Sequence, residues 1–94
     1  MCYYNYNYIK EATAMKTEVI VKVRDRIGVV SEISGKISSL GIGINRHEAK
    51  VTTDRSGMAV SIFHAELDMT DPGQLQALRR KCQRIKGFIS FAEQ

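Results

Sequence analysis

Cysteine is scarce in this chain: Cys2 and Cys82 are the two among 94 residues. That is too few for a disulfide framework, and neither belongs to a Cys-x-x-Cys metal or redox motif, so reduced thiols are expected. Long apolar runs are also missing. Val19-Ile20-Val21 is typical of those present, far short of the roughly 20 residues that cross a bilayer, and the first residues lack a basic head followed by an apolar stretch. A cytoplasmic location is the expectation. The length excludes a second domain. A chain of this size buries only about 60–65% of its unfolded surface, so the core is thin and a large internal cavity with a catalytic constellation is not expected. A surface groove or a subunit interface is the better place to look for binding.

A broad basic face is lacking too. The net charge is +4, but residues 71–94 supply +3 of it, from Arg79, Arg80, Lys81, Arg84 and Lys86 against Asp71 and Glu93. One basic helical stretch reads as a solvated helix face that complements the helix dipole, and nucleic acid is not the expected partner.

All four tyrosines lie in residues 1–15, whose composition differs from the rest. Tyr4, Tyr6 and Tyr8 alternate with asparagines as an added edge strand would, but a flexible leader, with Met15 as an internal start, is the preferred reading. The domain proper is placed at 16–94.

From there the patterning is regular. Thr17, Val19, Val21 and Val23 alternate with polar neighbours, which predicts a first strand over about 16–24 with one buried face. Val29 or Val30, Ile33, Ile37 and Leu40 recur at helical spacing, predicting a helix over about 26–40 with Asp25 as N-cap and Gly41 after its end. The stretch Asn45–Thr53 is charged and β-rich only at its far end, which suits a sheet edge. Asp54-Arg55-Ser56-Gly57 reads as a hairpin turn, and residues 58–67, apolar on both faces, as a central strand. Thr70-Asp71-Pro72 opens a second helix whose buried stripe is Leu75, Leu78, Cys82 and Ile85, and Gly87 stops it before a last strand at 88–91.

The order is βαββαβ, the α+β ferredoxin-like sandwich: a four-stranded antiparallel sheet with two helices on one face, strands one and three central. Ile20, Val60 and Ile62 are then expected on the open face as an apolar patch that another surface covers.

The segment Asp25-Arg26-Ile27-Gly28-Val29-Val30-x-x-Ile33, followed by Leu40-Gly41-Ile42-Gly43-Ile44 and closed by Ile85-Lys86-Gly87-Phe88, resembles the ACT domains over about residues 16–92. In its loop spacing it most resembles the C-terminal ACT domains of stringent-response guanosine tetraphosphate synthetase/hydrolases. The resemblance implies a non-catalytic domain that binds a small molecule, expected to be an amino acid, and regulates allosterically through a homodimer interface, with a catalytic domain or enzyme as the regulated partner. It implies a ligand site at Asp25, Arg26, Ile27, Gly28 and Val29 of one copy and Gly41, Gly43 and Asn45 of the other.

The chemistry of those residues agrees with this. The first turn of a helix carries unpaired N–H groups and partial positive charge, and a glycine there lets a carboxylate approach the backbone. The bland alternative is that Gly28 relieves packing and Asp25 caps the helix. Two departures from the family pattern stand out: Ile27 occupies a position commonly held by proline, and Gly43 one commonly held by asparagine. Asn45, on the same side of the strand as Gly43, is the substitute for the second.

Other chemistries fit less well. Lys86–Phe91 resembles the aromatic motif of RNA-binding RRM domains, but Ile89 and Ser90 depart from it and it lies on the last strand. An RNA-binding role is the remote alternative. A structural dimerisation module with a degenerate ligand site is the nearer one. His47, His64 and Cys82 match no metal-ligand spacing, and His64 reads as a packed or interface histidine. The loop 25–29 has no glycine-rich cradle for acylphosphatase chemistry, and no nucleophile, base and orienter trio is present, so neither catalysis, a cofactor nor a metal is expected.

Overall fold

The computed structural model describes residues 15–94; the expected leader lies outside the described residues except for Met15, which opens the first strand. The elements are β1 (Met15–Arg24), α1 (Val29–Ser39), β2 (Gly43–Thr53), β3 (Ala59–Met69), α2 (Gly73–Gln83) and β4 (Phe88–Glu93). The strands form one antiparallel sheet in the order β2-β3-β1-β4, with both helices on one face. This is the ferredoxin-like sandwich that the sequence predicts.

Period-2 alternation decides the faces. Val19, Val21 and Val23 of β1 and Phe63, Ala65 and Leu67 of β3 point to the helices and are fully buried or nearly so, against Val29, Ile33 and Ile37 of α1 and Leu78 and Cys82 of α2. Ile85 is also buried, although α2 ends at Gln83 and Ile85 follows in a turn closed by its N–H donating to the Cys82 carbonyl at 3.0 Å. In β4 a bulge sets Phe88 opposite Val23 and Ser90 opposite Lys22. It lets Phe88 and Phe91, three residues apart, both face the core, and it turns Ile89 outward.

The helix start and the extent of the edge strand differ from the sequence reading. Helix α1 begins at Val29, not near 26, because Gly28 takes φ +83°, a left-handed conformation that cannot continue a helix backward. Gly28, and not Asp25, is the N-cap, and no side chain caps this end. β2 runs from Gly43 to Thr53 despite its charges, since β3 offers backbone partners on both sides of one interruption. The interruption is a bulge at Asn45, between Ile44 and Arg46.

The helix ends are otherwise closed locally. At the C-terminus of α1, Gly41 N–H donates to the Ser38 carbonyl at 3.0 Å and Ile42 N–H to the Ile37 carbonyl at 3.4 Å, a Schellman pair that packs Ile42 on Ile37. At the start of α2, Asp71 Oδ1 accepts from Gly73 N–H at 2.9 Å while Gln74 Oε1 accepts from Thr70 and Asp71 N–H. Gln74 Nε2 also donates to the Leu40 carbonyl at 3.2 Å, tying the two helices together.

The open face carries Ile20, Val60 and Ile62 as expected, but it is not a bare apolar patch. Val60 is only 5% exposed, and Lys22, Arg24, His64 and Glu66 share the face with it.

Candidate functional site

The loop between β1 and α1 is stitched to both of its neighbours by backbone. Arg24 N–H donates to the Gly87 carbonyl at 2.8 Å and Asp25 N–H to the Ala59 carbonyl at 3.0 Å, so the loop, the β2–β3 hairpin and the start of β4 meet at one end of the sheet. Arg26 folds back onto Glu32 in the first turn of α1 in an ion pair, which sets the shape of the loop. Ile27 is then left fully exposed at the tip.

At Gly28 the backbone decides the residue. A Cβ built there would meet no atom within 4 Å, so the glycine does not relieve packing; its φ of +83° is the requirement. The space before it is open. Val29 N–H donates to the Arg26 carbonyl at 3.2 Å and Glu32 N–H to the Gly28 carbonyl at 3.0 Å, whereas among the described residues the N–H groups of Gly28, Val30 and Ser31 have no backbone acceptor. Of the site residues expected from the sequence, Val29 therefore has its N–H already used, and the donors left open at the helix start are Gly28, Val30 and Ser31. Asp25 is exposed beside this cluster and no ion pair holds it among the described residues.

Gly41, Gly43 and Asn45 lie at the other end of the sheet. The eleven residues of α1 separate the two halves by about 16 Å. The fold thus gathers Asp25, Arg26, Ile27, Gly28 and Val29 in one place and Gly41, Gly43 and Asn45 in another, and one copy does not bring the two together. Asn45, the bulged residue, donates its amide to Asp68 Oδ1 at 2.9 Å and Glu66 Oε2 at 3.4 Å across the open face. It shares that side with Gly43, whose Cβ would sit in ordinary contact 3.7 Å from Asp68 Cβ.

Among the described residues no strand pairs with the outer side of β2. Every residue of β2 except Ile44 is exposed, Val51 by 59%. His47 is held on the helix-side face by stacking on Phe63, with ring centroids 5.4 Å apart. His64 lies on the opposite face with Nε2 3.3 Å from Glu18 Oε1, lining a hollow of about 240 Å³ with Arg46, Glu48 and Glu66. It is a half-exposed, paired histidine and not a packed one. Cys82 is in the core, where burial pushes its thiol up to about 11. The two histidines and the cysteine therefore do not converge.

The sequence shows Asp54 only as a turn residue, and the structure gives it more. Its carboxylate accepts from Ser56 Oγ at 2.7 Å and from the N–H groups of Ser56 and Met58 at 2.9 Å each, and it pairs with Arg24 at 2.9 Å. The Ser56 hydroxyl and the Met58 N–H lead in holding its pKa down, to about 2. The signal was present as Asp-x-Ser-Gly, an Asx-type turn.

No family model and no curated protein sequence matches the chain. Solved structures do. The crystal structure of the ACT domain from GTP pyrophosphokinase of Chlorobium tepidum superposes with a TM-score of 0.71 at 15% identity, covering 86% of this chain and 99% of that one. The C-terminal domain of the MgtC protein from Mycobacterium tuberculosis gives 0.69 at 19% identity, with 87% of each chain covered. A prephenate dehydratase from Arthrobacter aurescens, in complex with L-Phe, gives 0.59 at 23% identity over 81% of this chain and 26% of that one. This chain has the fold of the ACT domains.

Proposed function

We propose that the chain is a non-catalytic regulatory domain of the ACT type that binds a small metabolite, an amino acid, between two copies of itself and transmits occupancy through that dimer. The observation that carries the reading is the bare start of α1: a left-handed Gly28 with open space before it and, among the described residues, unpartnered N–H groups around it. An α-carboxylate suits these donors and the positive end of the helix dipole. Asp25 is the nearest anion for the ligand's ammonium. Arg26, engaged by Glu32, shapes the loop and does not reach for the ligand. The likeness to a prephenate dehydratase in complex with L-Phe supports the ligand class.

The second half of the site comes from the partner. Among the described residues β2 is an edge strand with unpaired outer backbone groups and an exposed Val51, and symmetric pairing of two such edges hides both. In that arrangement the 25–29 loop of one copy lies near the 41–45 segment of the other, so binding couples to association. Arg46 and Lys50 oppose the pairing mildly where symmetry brings like charges together, although Arg46 is partly neutralised by Glu66 at 3.3 Å.

A second reading, a dimerisation module whose ligand site has decayed, is favoured by one observation. The Asn45 amide is already taken by Asp68 and Glu66, and Gly43 offers no side chain. Thermal-shift screening against the twenty amino acids, with sedimentation equilibrium on the same samples, separates the two. A ligand at a hundred times its Kd adds about 2.7 kcal/mol of stability. A dimer that no amino acid stabilises favours the second reading; a monomer at high micromolar concentration refutes both.

A further inference from the structure

The open sheet face has a hollow that edge pairing through β2 would leave uncovered. Its volume is about 260 Å³, and it lies at the hairpin end of the sheet, floored by Val60 and Ile62 and walled by Ile89 and Thr52. Three facts set it apart from an ordinary solvated face. Val60 is 5% exposed although no helix covers it, so the surrounding side chains already form walls. Ile89, 43% exposed, is turned onto this face by the β4 bulge, a device that re-aims side chains beside sites. The charge on the face is divided along the strands. Lys22 lines the hollow and Lys50, outside its lining, flanks Ile62 on the other side in the sheet register, whereas Glu18, Glu48, Glu66 and Asp68 stand toward the other end. Among the described residues neither Lys22 nor Lys50 has a carboxylate partner, while Arg24 is neutralised by Asp54.

We infer that this hollow is a second ligand site, for a small organic anion that lays an aryl or branched alkyl group on Val60 and Ile62 and turns a carboxylate or phosphate to Lys22. The two lysines stand two strand spacings apart, about 10 Å. An acidic head at the Lys22 side of Ile62 meets one ammonium directly and the other at longer range. The volume is below the range of roughly 300–1,000 Å³ that holds drug-sized molecules, so the guest is compact. Asp54, at the rim, is held by Arg24 and its own turn, which keeps its charge off the floor.

The test uses 3-phenylpropanoate as anion and 3-phenylpropan-1-ol as its neutral counterpart, titrated into isotopically labelled full-length protein and followed by amide NMR. The expected result is saturable shifts at Lys22, Val60, Ile62 and Ile89 with the acid, and binding at least several-fold weaker with the alcohol. Lys22→Glu weakens the acid about tenfold, replacing attraction by repulsion at a surface pair, and Lys22→Gln weakens it less. Gly28→Asp leaves these shifts unchanged, which separates this site from the loop site. Equal affinity for acid and alcohol, or no saturable shift up to 10 mM, overturns the inference. So do shifts of the same amides on raising protein concentration without additive, which would make a second copy the occupant.

Discussion

Gly28 and Gly87 share a backbone conformation, φ +83° and +85°, yet the structure assigns them different costs on substitution. Alanine at either position pays for a left-handed backbone, about 1 kcal/mol. At Gly28 that is the whole cost, because the new Cβ meets nothing within 4 Å. At Gly87 the Cβ would sit 2.8 Å from Arg24 Cβ, 3.1 Å from Arg24 Cγ and 3.4 Å from Arg24 N. The Cγ can swing away, but the Cβ can move only with β1. There the Arg24 N–H is held by the Gly87 carbonyl at 2.8 Å and neighbouring Val23 is fully buried. Overpacking of this kind adds roughly 1–3 kcal/mol, so Gly87→Ala is expected to lose about 3 kcal/mol and Gly28→Ala about 1. Urea unfolding at pH 7, followed by far-UV circular dichroism, should move the midpoint of Gly87→Ala about three times as far, with m unchanged in both. Equal shifts would refute the reasoning, since the contact with Arg24 would then carry no weight.

Asp54, with its carboxyl lowered to about 2, contributes stability that is present above its ordinary value near 4 and lost as pH falls toward 2. Asp54→Asn should therefore be less stable than wild type at pH 6, and the gap should close by pH 2 in urea titrations at successive pH values. Cys82, raised to about 11, stays a neutral thiol in the fold, so in a Cys2→Ser background iodoacetamide at pH 8 should modify it only through unfolding, at a rate that rises with the unfolded population. Its contribution runs the other way with pH: it is complete below the ordinary thiol value and lost between there and about 11, a decline above pH 9 that Cys82→Ala should lack.

The legible part of the fold was the part governed by periodicity. Val19, Val21 and Val23 at spacing two, and Ile33 and Ile37 at spacing four, each place a buried face whatever surrounds them, and β3, apolar on both sides, could only be central. What the pattern could not show was where the backbone changes hand. Asp25-Arg26-Ile27 carries a plausible cap and no helix breaker before Gly28, so the pattern alone places the helix start three residues too early. The φ of Gly28 depends on the loop being tied to Ala59 and Gly87, contacts distant in sequence. The β4 bulge was hidden for a related reason, because Phe88-Ile89-Ser90-Phe91 fits alternation only if one residue is skipped. Of the candidate site, the loop half was readable from Gly28 itself. The engagement of Asn45 by Asp68 was not, since it needs the register of β2 on β3.

The central claim is that the start of α1 takes the carboxylate of an amino acid. Calorimetric titration of the best thermal-shift hit into wild type, Gly28→Asp and Asp25→Ala tests it most directly. Aspartate tolerates a left-handed backbone better than most residues, so the first variant stays folded while placing a negative charge before the N–H groups of Val30 and Ser31. Gly28→Asp is expected to abolish binding and Asp25→Ala to weaken it by about fivefold, the value of an exposed ion pair. Equal affinity in all three proteins would contradict the claim and leave the chain a dimerisation module.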